Sequence, residues 1–230
     1  MAVLYQERKR RAKTRSIKKR RKLIDDQKIG FKIMRSPASQ VFKTTLRYAT
    51  TFSLDPGIAG IPGVHTFRAN SLFDPDVTGG GHQPRGFDQL IQLWDHFVVS
   101  NAKITVWFSG QTNETVNYIA GITLQDDGTV SLDYRDYLER GYTNNQMIGV
   151  GVGSKPAKMV MYSDTAKFLG RKGILTDNQL KGGAGANPAE SLIFHVFATS
   201  ANLSNTGALS CYCTIDYNVY FIEPKDVSIS

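Results

Sequence analysis

The sequence predicts an all-β fold, an eight-stranded antiparallel jelly roll with two short helices in its loops and a basic N-terminal arm. Three observations predict it. Apolar residues recur at period two through much of the chain, the signature of strands with one buried face. About eight such segments lie in roughly 190 residues, divided by turn-forming stretches, as in a sandwich or barrel. Three are long, the first, the one at 97–109 and the last. A jelly roll pairs its first and last strands and sets the third beside the last, so long strands at those places favour it over an immunoglobulin-type sandwich.

The first strand spans Val41 to Leu54, with Phe42, Leu46, Tyr48, Phe52 and Leu54 of one parity and Lys43, Thr45, Arg47, Thr51 and Ser53 of the other. A Gly/Pro-rich turn from Asp55 to Gly63 ends it, and a short strand near His65–Arg68 follows. Phe87, Leu90, Ile91 and Trp94 have helical spacing and predict a short helix. Phe97–Ser109 returns to strand period, with Ala102, Ile104, Val106 and Phe108 facing one way and Lys103, Thr105 and Trp107 the other. Tyr118–Leu124 is a further strand, and Ser131–Arg140 reads as a second short helix closed by Gly141. Lys158–Tyr162 and Ala166–Leu169 are expected as short strands, and Arg171–Ala189 as a long Gly/Asn-rich loop. Ser191–Ser200 and Leu209–Ile222 complete the set. The last has Leu209, Cys211, Cys213, Ile215, Tyr217, Val219 and Phe221 on one face, and Tyr212, Thr214, Asp216, Asn218 and Tyr220 on the other.

Charge divides the chain at a different place. The 230 residues carry 28 basic and 20 acidic side chains, a net +8. Eleven of the fifteen residues from Arg8 to Lys22 are basic: Arg8, Lys9, Arg10, Arg11, Lys13, Arg15, Lys18, Lys19, Arg20, Arg21 and Lys22. With Glu7 as their one acid, residues 1–22 are +10, which leaves 17 basic and 19 acidic residues after them, a net −2. Residues 1–35 are thus expected to form an arm that holds a polyanion through its phosphates, and residues 36–230 the folded domain. The blocks Arg8–Arg11 and Lys18–Lys22 also have the form of a bipartite nuclear import signal, which implies a host import receptor as partner and a nuclear stage. No apolar region follows the charges as in a secretory signal, and no run of about 18 apolar residues predicts a membrane span. Cys211 and Cys213, two apart on one strand, would point the same way and are expected as reduced thiols.

Catalytic patterns are not found. Gly149–Lys155 superficially resembles a phosphate loop, but Lys155 is followed by Pro156 instead of Ser or Thr. The four histidines, His65, His82, His96 and His195, are scattered. Asp74 and Asp76 could offer oxygens to calcium, or form an Asp-Pro-Asp turn whose carboxylates cap amides. The expectation is a non-enzyme with no cofactor.

The least generic stretch runs from Phe67 to Asp88. Asn70, Ser71, Leu72, Phe73, Asp74 and Pro75 lead into Thr78, Gly79, Gly81, His82, Gln83 and Pro84, then the aromatic-acidic pair Phe87 and Asp88. This block resembles one in capsid proteins of small circular single-stranded DNA viruses that encode a rolling-circle replication initiator, circovirus-like viruses. The resemblance implies a self-assembling shell protein, about sixty copies in an icosahedral particle, with the arm facing a single-stranded DNA genome. It thus implies a virion component. Sixty arms would carry on the order of +600, enough for roughly 600 phosphates. Within the block, Pro75, Pro84 and the glycines would fix an irregular loop whose amides Asn70 and Asp74 satisfy. Asn70, Asp74, Pro75, His82, Gln83, Pro84 and Asp88 are expected to form an assembly framework at or beside a subunit contact.

On the non-core faces of the three long strands, Lys43, Arg47, Lys103, Trp107, Tyr212 and Tyr220 would make a mixed basic-aromatic surface suited to single strands. Such a surface could line the shell's interior, or be covered by the arm's base or a neighbouring subunit. Alternative readings are a cellular nucleic-acid-binding jelly roll, ribosomal or chaperone-like, and an RNA-packaging capsid like those of small plant satellite viruses. A cupin-type metal enzyme would need a His/Glu ligand set on facing strands, which the sequence does not offer.

Overall fold

The structure, a computed structural model, describes residues 39–78, 80–110, 115–204 and 207–226. The basic arm therefore lies outside the described residues. Eight strands are present among them: β1 (Val41–Leu54), β2 (Gly63–Arg68), β3 (Trp94–Ser109), β4 (Tyr118–Gln125), β5 (Thr143–Ile148), β6 (Ala157–Asp164), β7 (Ile193–Ser200) and β8 (Leu209–Pro224). They form two four-stranded sheets, ordered β1-β8-β3-β6 and β2-β7-β4-β5. All neighbours pair antiparallel. First and last strands are thus neighbours with the third beside the last, and the fold is the expected jelly roll.

Alternation builds the core. Leu46, Tyr48 and Leu54 of β1, Ala102, Ile104, Val106 and Phe108 of β3, and Leu209, Cys211, Cys213, Ile215, Tyr217, Val219 and Phe221 of β8 are all buried in one cluster. Phe194, Val196 and Ala198 of β7 and Tyr118, Ala120 and Ile122 of β4 meet them from the second sheet. β3 keeps this face only because its register shifts between Val99 and Asn101. That bulge lets Phe97 and Val99, of odd parity, share the core with Ala102 and Ile104, of even parity. The Ser100 hydroxyl donates to the Asn218 carbonyl at 3.1 Å beside the irregularity.

Three short helices occupy the connections: α1 (Phe87–Ile91), α2 (Tyr134–Leu138) and α3 (Thr165–Phe168). α2 lies over the outer face of the second sheet, where the Tyr137 ring stacks on Phe197 at 4.9 Å. Beyond α3, Ile174, Leu175 and Leu180 fold with Leu169 over the outer face of the first sheet, burying Val98 and Ile222. Arg171 pins that segment through Asp177 at 2.6 Å and Glu190 at 3.2 Å.

Four expectations need correction. Ala166–Leu169 is not a strand; Asp164 accepts from the Lys167 amide at 2.9 Å and so caps α3 instead. Thr143–Ile148, which the sequence analysis left without an element, is β5, an edge strand paired only to β4. Its residues Asn144, Asn145, Gln146 and Met147 are exposed, so no apolar face marks it. Trp94 opens β3 instead of closing α1, and α2 covers less than the Ser131–Arg140 span. The strand count agreed with expectation although one member was exchanged for another.

Candidate nucleic-acid interface and loop framework

The strand register assembles the expected basic-aromatic surface row by row on the outer face of the first sheet. Lys43 lies opposite Tyr220, Arg47 opposite Asp216, and Thr51 opposite Tyr212. Across β8 from them, Lys103 faces Asp216 and Trp107 faces Tyr212. All six predicted residues therefore share one face. The Trp107 and Tyr212 rings are 5.1 Å apart, and Lys43 Nζ stands 5.2 Å from the Tyr220 ring centroid.

β6 adds two members that sequence reasoning missed. Lys158 pairs with Trp107 and Tyr162 with Lys103. Lys158 Nζ lies 5.4 Å from the Trp107 ring, and Lys103 Nζ 5.6 Å from the Tyr162 ring. Both distances are within cation–π range. Alternation of Lys158, Val160 and Tyr162 was visible in the sequence. The missing link was that β6 borders β3, although β4, α2 and β5 come between them in the chain.

The residues are not equivalent. Arg47 forks onto Asp216, Nε to Oδ1 at 2.5 Å and Nη2 to Oδ2 at 3.0 Å, so a carboxylate already offsets its charge. That hydrogen bond, with the Asp216 charge, raises the pKa of Arg47 further. Tyr220 packs against the apolar segment that covers Val98 and Ile222. Between the covered end and the open end runs a polar row, Thr45 to Asn218 at 2.6 Å and Asn218 to Asn101 at 2.5 Å. The open part holds Trp107, Tyr212 at 44% exposure and Tyr162 at 69%. A groove of about 500 Å³ adjoins it, lined by Thr51, Phe52, Ser53, Trp107, Ser109, Pro156, Ser210, Cys211 and Tyr212. Both cysteines are buried and unbridged, and burial pushes the Cys211 thiol up to about 12.

At the other end of the same sheet the chain enters β1. The Trp94 indole Nε1–H donates to the Ser39 carbonyl at 3.0 Å, and Phe42 stacks on Trp94 at 5.3 Å. Val41 and Thr51 are ten residues apart on one strand, so Ser39 is held ~33 Å or more from the Trp107 groove.

The Phe67–Asp88 block is a return loop fastened to β2. Arg68 donates its amide to Pro75 O at 2.7 Å and its Nη1 to the Asp74 carbonyl and carboxylate at 2.9 and 2.6 Å. Asn70 does not serve this loop. Its Nδ2 donates to Glu190 O at 2.7 Å, and its Oδ1 accepts from the Leu192 amide at 2.9 Å, imitating a strand pair at the start of β7. Ser71 reaches the same segment, donating to Asn187 Oδ1 at 2.6 Å. The amide-capping carboxylate is Asp76, which accepts from Thr78 N at 3.0 Å and Thr78 Oγ1 at 2.6 Å and meets His65 Nε2 at 3.0 Å. Burial opposes its ionisation, but the hydrogen bonds from Thr78 and His65 together prevail and hold its pKa below the usual value. Asp74 and Asp76 thus have protein partners. Among the described residues no group of three or more His, Cys, Asp or Glu is placed to hold a metal ion.

Gln83 Nε2 donates to Phe73 O at 3.1 Å and Pro84 is buried, so both tie the loop down. His82 is exposed, with its ring 4.8 Å from that of Tyr48, and Asp88 is exposed in the first turn of α1. Pro75 is buried beneath the loop.

No family model matches the sequence, and no curated protein matches it. Solved structures match the fold at low identity, among them structures of viruses and of a viral capsid protein. A semi-empty virus-like particle of the giant freshwater prawn (Macrobrachium rosenbergii) nodavirus superposes with a TM-score of 0.51 at 11% identity, covering 84% of this chain and 100% of that one. The empty head of turnip yellow mosaic virus gives 0.48 at 10% identity, over 88% and 92%. The BFDV capsid protein solved as a 60-mer gives 0.46 at 10%, over 84% and 100%. The body therefore has the jelly-roll architecture found in such shells.

Proposed function

We propose that this chain is a viral capsid protein that self-assembles into an icosahedral shell and packages a single-stranded DNA genome through its Arg/Lys-rich arm. The observation that carries this reading is the union of two features: a jelly-roll body of the kind found in solved viral shells, and eleven cations within fifteen residues ahead of it. Copies of the chain are the main partner, packing jelly rolls side by side while the arms neutralise phosphates. DNA as cargo rests on the block from Asn70 to Asp88, and the loop framework built there would stiffen a subunit contact. The same two basic blocks would carry the subunit into the host nucleus before assembly. The outer face of the first sheet, with Lys43, Arg47, Lys103, Trp107, Tyr212 and Tyr220, would form the genome-facing wall.

Deletion of residues 1–22 tests the reading. Particles of the full chain should hold nucleic acid that resists nuclease and is destroyed by deoxyribonuclease once the shell is opened. The truncated chain should fold but lose that cargo and its import into nuclei. Unchanged protected cargo in the truncated particles would contradict the role given to the arm.

A further inference from the structure

We propose that the groove beside Trp107 and Tyr212 is a binding subsite for one unpaired nucleobase, so that the folded body prefers single-stranded nucleic acid independently of the arm. This rests on the reading of the chain as a nucleic-acid packager, and deepens it by assigning the discrimination between strands to particular side chains.

Stacking surface comes first. Trp107 and Tyr212 sit 5.1 Å apart with an interplanar angle of 31°, and together they offer aromatic surface to the groove. Bases of any identity stack on such rings, because every base has a π-face. The groove's volume of about 500 Å³ falls within the range of small-ligand sites, roughly 300–1,000 Å³. Its remaining wall carries the hydroxyl residues Thr51, Ser53, Ser109 and Ser210. Hydroxyls both donate and accept, so they satisfy a base edge without selecting one base.

Charge complementarity then separates this groove from the other cavity on the sheet. No carboxylate is among the residues lining it, and Lys158 stands 5.4 Å from the Trp107 ring, where a sugar-phosphate backbone would pass. A second cavity, about 360 Å³ between β6, α3 and the second sheet, has both Asp164 and Lys167 in its wall, so a carboxylate there offsets the cation that would draw phosphate. The next cationic pair, Lys103 with Tyr162, extends the track from the groove along β3 and β6. Past it, the Arg47–Asp216 fork weakens the field and the Leu180 segment covers the sheet. The track is therefore confined to the end of the sheet remote from Ser39. A duplex keeps its bases stacked on one another and presents only phosphates, so it would use the lysines and not the rings.

The chain has two tryptophans, and Trp94 is 5% exposed. In a Trp94→Phe chain the fluorescence reports Trp107 alone. Titrated with oligothymidylate at salt high enough to suppress charge-only binding, Trp107 should be quenched saturably. A duplex of the same length should quench at least ten-fold less effectively. Tyr212→Ala should weaken single-strand binding roughly five- to hundred-fold. Lys158→Gln should reduce the slope of log affinity against log salt by about 0.7. Photocrosslinking oligothymidylate to the unaltered chain, with the adduct mapped by mass spectrometry, tests the claim without relying on any substitution. Adducts at Trp107 or Tyr212 are expected.

Equal quenching by duplex and single strand, unaltered affinity after Tyr212→Ala, or adducts confined to residues 1–35 would overturn the proposal. So would quenching of Trp107 on assembly without nucleic acid, since the groove would then be a contact between copies. Oligonucleotide binding needs no particles, so a chain that quenches but never forms shells contradicts the capsid reading alone. One that forms shells but is not quenched contradicts the subsite alone.

Discussion

Asn70 illustrates how the partner of a side chain can escape a reading of its sequence spacing. The residue types and spacing of its block pointed to a fixed loop, and a loop is what Arg68, Asp76 and Gln83 build. What spacing could not supply is that β7 lies beside β2, so that Asn70 clamps Glu190 and Leu192, 120 residues or more away. Asn70→Ala would leave the buried Leu192 amide and the partly buried Glu190 carbonyl without this partner, at about 1–3 kcal/mol for the amide and less for the carbonyl. A loss of about 2 kcal/mol in urea unfolding is therefore expected. Gly81 is constrained as tightly, since a Cβ there would stand 2.7 Å from the Tyr48 hydroxyl and 2.8 Å from Asp76 Cβ. His195 governs acid sensitivity. It is fully buried, its Nε2–H donates to Asp127 O at 2.8 Å, and Nδ1 has no partner among the described residues. Burial lowers its pKa, although the bond to Asp127 acts the other way and the Arg140 charge reinforces the lowering. The unfolded chain then takes up this proton first, so stability is full above about pH 6.5 and falls as pH drops below it. His195→Gln should flatten the thermal midpoint between pH 7 and 5, whereas the losses from Asp76, Asp127 and Asp177, all with lowered pKa, begin only below about pH 4.

Elements with one apolar face were legible, and those without one were not. β8 alternates from Leu209 to Phe221 and β1 buries Leu46, Tyr48 and Leu54 on one face, and the ends of both strands agree with the sequence pattern within two residues. β5 is an edge strand with exposed polar side chains, so nothing in its composition separates it from a loop. Residues 165–168 follow a capping aspartate, Asp164, at the end of the sheet-edge strand β6, and form a helical turn there. The segment from Leu169 to Leu180 is the element whose role was least visible. The sequence predicts only a long Gly/Asn-rich loop over Arg171–Ala189, yet Ile174, Leu175 and Leu180 within it help to bury Val98 and Ile222. Leu180→Ala should cost about 2–5 kcal/mol and speed amide exchange in residues 174–182. Asp74→Ala combined with His82→Ala should remove the tie to Arg68 and the contact with Tyr48. Under the proposed assembly role, particle yield should fall while the isolated subunit keeps its strand content by circular dichroism.

For the whole molecule, topology and charge bear on different questions. Strand order defines a jelly-roll body, and the net charge of −3 over residues 36–230, from 14 basic and 17 acidic side chains, gives it little attraction for a polyanion. Under the proposed function the arm supplies that attraction, in a form that charge counting can test. Replacing Lys18, Lys19, Arg20, Arg21 and Lys22 by Gln removes five of the eleven cations and should lower the salt slope of single-strand binding by up to about 3.5. If about sixty copies assemble as proposed, their arms would neutralise roughly 600 phosphates, and a longer genome would draw further cations from solution or from Lys103 and Lys158 on the sheet. Electron microscopy of the purified full chain, before and after nuclease challenge, measures the central claim most directly. Closed isometric particles enclosing protected single-stranded nucleic acid are predicted. A folded protein that yields only small open oligomers and protects nothing would contradict it.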